Sequence, residues 1–213
     1  MARRTPLSKD RVLRTAAELA DEHGLEALSM RRLARKLGVE AMSLYNHVAN
    51  KDEILNGILD LVVGEIELPG EDVEWKTAIR RAAISTRDVL LRHRWAAGLW
   101  MSRQSGGPAR LRHGDWMLRT LRAGGLPPDL VYHAFHVLES HLLGYMHLQL
   151  SFPYRGEELA ERASGFLRRI PAEDYPDLVQ HVHEHLEPRE GEGGFELGLD
   201  LILDGLERAR DEA

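Results

Sequence analysis

The chain contains eleven histidines and no cysteine. Imidazole, Asp and Glu are therefore the ligands it could offer a metal. Cysteine nucleophiles, thiolate zinc sites and disulfide scaffolds are excluded. In His181-Val-His183-Glu-His185, the first and last histidines sit at i, i+4, a spacing that can grip zinc, while His183 swings to the far side of a helix. His133, His136 and His141 fall on another predicted helix, where the first two share a face and the third lies elsewhere. Neither cluster specifies a third ligand, outer hydrogen-bond partners or a general base. A metal-binding protein or metalloenzyme therefore stands as the alternative reading, and a solvated or interfacial histidine face as the plainer one. No Ser/His/Asp arrangement, phosphate loop or paired-carboxylate motif is present, so catalysis has no positive support.

A second chemistry is carried by Arg31, Arg32, Arg35, Lys36 and Lys51, which can neutralise phosphates. Residues 1–51 hold ten Lys/Arg against six Asp/Glu, a net +4, which leaves 18 against 28, a net −10, for residues 52–213. A basic head on an acidic body points to a polyanion partner for the head; a chance excess on a solvated face is the competing account. The 213 residues suit one large domain or two modest ones, and 43% apolar with 29% charged residues is ordinary globular composition. No apolar run approaches a membrane span and no export signal follows Met1-Ala-Arg-Arg-Thr-Pro6, so a cytoplasmic location is expected.

The elements that must position these residues read as helices broken by Gly and Pro, with no period-2 alternation, so the fold class is all-α. Ser8 is an N-cap, Leu13, Ala16, Ala17 and Ala20 follow at helical spacing, and Gly24 ends that helix. A second helix opens at Ser29 with Met30, Leu33, Ala34 and Leu37 on one face, and Gly38 stops it after about two turns. Leu44 and Val48 stripe a third short helix of similar length. Asn50 with Glu53 resembles a capping box opening a fourth, Ile54–Leu68. Further helices are predicted over Val73–His93, Trp95–Gln104, Pro108–Ala123, Pro128–Leu150, Glu157–Arg169, Tyr175–Leu186 and Phe195–Asp211, with a loop at Pro188–Gly194.

Residues 29–48 have the dimensions of a DNA-binding helix-turn-helix. Gly38 allows the tight turn, Leu33, Leu37, Leu44 and Val48 bury inward, and Ala41, Met42, Ser43, Tyr45, Asn46 and His47 remain outward for a major groove. The same geometry also fits two packed helices with a solvated basic face. The wording is more specific. Ser-Met-Arg-Arg-Leu-Ala-Arg-Lys-Leu-Gly-Val-Glu-Ala-Met-Ser-Leu-Tyr-Asn-His-Val-Ala-Asn-Lys, residues 29–51, strongly resembles the tetracycline-repressor family, whose Leu-Tyr-x-His-x-x-x-Lys ending is matched by Leu44, Tyr45, His47 and Lys51.

That resemblance implies a homodimeric regulator, usually a repressor released from a palindromic operator on double-stranded DNA by a small molecule. It assigns Tyr45, His47 and Lys51 to phosphates, Ala41, Met42, Ser43 and Asn46 to bases, and Ser29, Arg31 and Arg32 to the start of the second helix, where backbone and sometimes bases are touched. Asn46 stands where the tetracycline repressor itself often has Trp, so base preference does not carry over. The expected division is a head over 1–51 and a ligand-binding and dimerisation domain over 52–213.

The match continues more weakly through Leu68-Pro69, Trp75 and Gly144. In an ungapped alignment the drug-contacting Asn, Phe and His of the tetracycline repressor become Ala82, Thr86 and Trp100, and the acid completing its magnesium shell falls near Leu148. Magnesium–tetracycline is therefore not the expected effector, and no metal or cofactor is expected. A pocket edged by Trp100, Met117, Phe135, Leu138 and His141 would favour an apolar or aromatic molecule; ordinary core packing is the other account of those residues. On the last helix, Phe195, Leu199, Ile202, Leu206 and Ala209 form one stripe and Leu197, Leu201 and Leu203 widen it. A helix apolar on two sides needs two partners, which fits a dimer seam or a helix buried in a large monomer.

Overall fold

The computed structural model describes residues 6–103, 106–152, 154, 156–186 and 193–213. Those residues form eleven α-helices and no strand. The expected loop at Pro188–Gly194 lies outside the described residues up to position 192, and its last two glycines open the final helix.

The head consists of α1 (Lys9–His23), α2 (Met30–Leu37) and α3 (Ala41–Leu44), with a 3₁₀ turn at Leu25–Ala27 between the first two. The hydroxyls of Ser8 and Ser29 accept from the amides of Arg11 and Arg32, each satisfying one of the free N–H groups at a helix start. Gly38 takes the left-handed conformation, φ +68°, which lets α2 stop and the chain turn into α3. Regular α-geometry in α3 lasts one turn rather than the expected two. Its N-cap, Glu40, makes no side-chain cap bond, and residues 45–47 continue only as turns.

The fourth helix, α4, spans Lys51–Val63 and not the expected Ile54–Leu68. Asn50 accepts from the Glu53 amide while the Glu53 carboxylate accepts from the Ala49 amide, which places the helix start three residues earlier than apolar spacing alone suggests. At its other end the chain leaves α-geometry at Gly64, ahead of Pro69. Gly57 brings α4 tight against Leu13 of α1; a methyl there would meet the leucine at 2.6 Å.

The body comprises α5 (Trp75–Arg92), α6 (Ala96–Ser102), α7 (Pro108–Ala123), α8 (Pro128–Ser151), α9 (Gly156–Leu167), α10 (Pro176–Leu186) and α11 (Gly193–Asp211). The described residues form two apolar cores. One joins the head to α4, α6 and the end of α5, around Leu33, Leu44, Ile58 and Leu90. The other lies among α5, α7, α8 and α11, around Trp116, Leu121, Leu138 and Phe195. Helices α9 and α10 pack on each other and bury no residue completely.

On α11, Phe195, Leu199, Leu203 and Leu206 are buried in the chain's own core. Leu197 and Leu201, on another side, are 61% and 62% exposed. The doubly apolar helix thus divides into a stripe packed at home and one left uncovered. Arg80 and Lys76 of α5 fix the helix by pairing with Glu196, Asp200, Asp204 and Glu207.

Candidate nucleic-acid interface and effector chamber

The turn after α2 presents Met42, Tyr45 and Asn46 outward, with Met42 74% exposed; Ala41, Ser43 and His47 are half-buried beside them. An exposed methionine on a helix of this size has no packing explanation within the chain. Ser29 is exposed at the start of α2, its oxygen already accepting from the Arg32 amide and its hydroxyl proton still available. Arg31, Arg35 and Lys51 are exposed and make no ion pair among the described residues, and Arg32 is half-buried. Lys36 differs: its ammonium bonds Glu22 at 2.8 Å and lies 3.6 Å from Glu18, so it ties α2 to α1. That hydrogen bond to Glu22 also raises the lysine's pKa and lowers the glutamate's.

The head is fastened to the body by polar contacts that no sequence pattern indicated. Asp21 of α1 accepts from the Trp95 indole at 2.6 Å and meets His93 Nδ1 at 2.9 Å; the other nitrogen of His93 reaches Glu65 at 3.3 Å. Arg103, just past α6, bonds Asp52 and Asn56 of α4 at 2.7 and 3.0 Å. Asp60 of α4 accepts from the Ala109 and Arg110 amides, so one helix caps the start of another. These bonds tie α7 and the segment after α6 to α4, which packs on α1.

The five expected effector residues do not share one environment. Trp100 is buried at the end of α6, where its indole meets the His113 ring edge-on at 5.5 Å. Met117 and Leu138 are core residues between α7 and α8, and Phe135 is half-buried against Gly114 of α7. His141 faces α11: it stacks on Phe195 at 5.1 Å and its Nε2 bonds the Phe195 carbonyl at 2.9 Å. A cleft of about 1000 Å³ lies at the far end of the body, lined by Leu68–Trp75 and by Arg112, Trp116, Arg119 and Thr120, and none of the five borders it. His113 is the residue that sequence reasoning missed, because a lone histidine inside an apolar helix face leaves no periodic signal.

The positions aligned with the tetracycline ligands are unsuited to magnesium. Ala82 is buried, the Thr86 hydroxyl is buried and donates to the Ala82 carbonyl, and Leu148 is exposed. His133 and His136 are exposed beside Tyr132, and the His181 and His185 rings stand 6.2 Å apart. Among the described residues no three His, Asp or Glu side chains come together as a metal-ligand set.

Residues 12–58 match the family model described as bacterial regulatory proteins of the tetR family, and residues 68–210 match the tetracyclin repressor-like C-terminal domain. The chain belongs to the TetR family. It is 33% identical to the transcriptional repressor DrrR1 of Streptomyces coeruleorubidus, over 94% of this chain and 77% of that protein. Among solved structures it resembles the Streptomyces coelicolor TetR-family protein ActR in complex with actinorhodin, with TM-score 0.81, 32% identity and coverage of 97% and 99% of the two chains. It also resembles BioQ with its double-stranded DNA operator, with TM-score 0.66, 27% identity and coverage of 94% and 98%. The helix-turn-helix and the helical C-terminal body are thus those of a TetR-family DNA-binding transcriptional regulator. The metal-binding alternative gains nothing from these likenesses.

Proposed function

We propose that this TetR-family chain acts as a homodimeric repressor that binds a palindromic operator and leaves it when the body takes up an aromatic or lipophilic molecule. The observation that carries the DNA half is the pairing of outward Met42, Tyr45 and Asn46 with the exposed cations Arg31, Arg35 and Lys51, which make no ion pair among the described residues. BioQ, with its operator, supports the same assignment. In this reading Ala41, Met42, Ser43 and Asn46 meet base edges. Tyr45, His47, Lys51, Ser29, Arg31 and Arg32 hold the backbone. The division at residue 51 is functional rather than structural, since α4 is packed into both parts.

Homodimerisation is supported by the uncovered apolar side of α11, where Leu197 and Leu201 are 61% and 62% exposed. Two heads related by a two-fold axis call for half-sites about one helical turn or more apart. The effector half takes Trp100, Met117, Phe135, Leu138 and His141 as candidate contacts; Trp100 lies beside His113, Met117, Phe135 and Leu138 between α7 and α8, and His141 against α11. The similar protein ActR takes up a small molecule, actinorhodin, in its own structure. Effector uptake releases DNA if it favours a body arrangement in which α6 and α7 pull α4 through Arg103 and Asp60. This reading assigns no catalytic role and no cofactor, and a DNA partner is consistent with a cytoplasmic location. No helix among the described residues is long and apolar enough to cross a membrane.

The test is selection of bound duplexes from random sequence at low salt, followed by a thermal-shift screen of aromatic compounds alongside magnesium–tetracycline. A selected palindrome and an aromatic hit that displaces it are expected. Failure to select any palindrome, or tight magnesium-dependent tetracycline binding, contradicts the reading.

A further inference from the structure

His113 lies on α7, is 4% exposed, and its Nε2 is buried without a hydrogen-bond partner. Its ring stands at 77° to the Trp100 indole with the ring centres 5.5 Å apart, and the Arg110 guanidinium lies 6.0 Å from the centre of that same indole. The neighbouring Gly114 has no side chain, and Phe135 of α8 lies opposite it. Burial lowers the pKa of the His113 ring to about 4, so at neutral pH it carries no charge and can either accept or donate a hydrogen bond. An imidazole placed here for packing alone would be served better by phenylalanine or leucine, because an unpaired buried polar atom weakens a fold. Trp75 Nε1 and Gln149 Oε1 also lack partners; the Trp75 ring is covered by the Arg210 guanidinium at 5.7 Å, and Gln149 carries no ring.

We propose that His113 is the polar determinant of effector choice: its Nε2 hydrogen-bonds a hydroxyl group on an aromatic effector whose ring packs against Trp100. This rests on the reading of the body as an aromatic-effector chamber. It narrows that class to hydroxylated aromatics and makes His113 the group that tells them from plain hydrocarbons.

The probes are 1-naphthol and naphthalene, which share a ring system and differ by one hydroxyl. Binding is followed by tryptophan fluorescence and calorimetry on the full chain without DNA, so the outcome is independent of operator recognition. The wild type should prefer 1-naphthol roughly three- to tenfold, the worth of one net hydrogen bond. His113→Phe, which keeps the ring shape, should bind both probes alike. His113→Leu serves as a second variant. If neither variant folds, ¹⁵N-histidine spectra of the wild type should show a non-titrating imidazole that shifts with 1-naphthol and not with naphthalene. A purely structural histidine would leave the ratio of affinities unchanged on substitution. Equal binding of the two probes by the wild type, binding of neither, or a preference that survives in His113→Phe overturns the proposal. A protein that shows the preference yet selects no palindrome would instead remove the repressor reading and leave the His113 assignment in place.

Discussion

In the head, three helix starts are capped by the side chains of Ser8, Ser29 and Asn50, the leucines of α1 and α2 face its core, and Met42 and the cations Arg31, Arg35 and Lys51 stand exposed. The body has the reverse arrangement. His113, Trp75 and Gln149 hold buried polar atoms without partners, while Leu197, Leu201, Tyr132 and Leu148 are exposed. The contrast separates two kinds of recognition. A surface of free cations on a well-capped scaffold is read by a polyanion through charge, whatever else is bound. A body with apolar residues outside and polar atoms inside is read by an apolar neighbour on one side and a polar-bearing small molecule on the other. Substitutions that exchange these properties between head and body give the sharpest tests of that division.

The largest effect is expected on the uncovered face of α11. Leu201→Arg adds a charge where the single chain buries nothing, so the monomer should fold normally. If a second copy covers that face, the unpaired charge should cost roughly 3 kcal/mol or more, at least a hundredfold in dimer dissociation. Sedimentation should show folded monomers that have lost tight operator binding. A dimeric, operator-competent variant would place the seam elsewhere. Leu206, 9% exposed within its own chain, is the contrasting site: Leu206→Arg should unfold the body rather than split the dimer.

The next effect concerns the inside of the body. Burial holds the folded-state pKa of His113 near 4, below its unfolded value of about 6.5, so the unfolded chain binds the proton first as pH falls. Stability from this group is complete above about pH 6.5, falls between 6.5 and 4, and is fully lost below 4. Between pH 7 and pH 5 the loss from this histidine alone should be about 2 kcal/mol. Urea unfolding of wild type and His113→Phe at both pH values isolates it from the other ten histidines. Equal pH dependence in the two proteins would show that the ring is not buried neutral.

The same division explains what could be read from the residues in order. The head was legible down to its caps, because its signals are local: a serine before a helix, a glycine after it, a run ending in Tyr45, His47 and Lys51. The length of α3 was overestimated, since Leu44 and Val48 both bury although only the first lies in regular helix. In the body the helices were legible from Gly and Pro breaks, but the tertiary contacts were not. Asp60 and Asp21 look like surface acids on their own helices, and only packing brings them to the start of α7 and to Trp95. The sequence places His141 beside Trp100 at the pocket edge, whereas its ring faces α11. Two apolar sides on α11 are legible, but their membership is not: Leu203, expected on the widening side, is buried with Phe195, Leu199 and Leu206, and Ala209, expected with them, is exposed, because the home side is set by α5 and α8.

The join between head and body offers a smaller effect. Asp60→Ala removes the acceptor for two amides at the start of α7, a cap normally worth about 1 kcal/mol. Thermal unfolding should register that loss, while Asp60→Asn should recover most of it. If the cap also transmits effector uptake to α4, Asp60→Ala should keep operator affinity yet respond less to an effector. An alanine variant of unchanged stability would show that the Asp60 bonds contribute nothing.

The smallest expected effect is the most direct test of the charge side. Lys51 and Lys36 are both lysines of the head, and composition alone would give them equal roles. Lys36 is held by Glu22 and Glu18, whereas Lys51 has no acidic partner among the described residues. A phosphate that binds Lys51 displaces only counterions; one that binds Lys36 must also compete with two carboxylates. Lys51→Ala should therefore weaken operator binding a few-fold, equally on specific and random duplexes, and reduce the slope of log affinity against log salt by about 1. Lys36→Ala should leave that slope unchanged. Fluorescence anisotropy on one labelled duplex at five salt concentrations resolves both slopes. If the two variants lose the same slope, the ion pair to α1 does not survive contact with DNA, and free charge in the unbound head ceases to predict which cations hold phosphates.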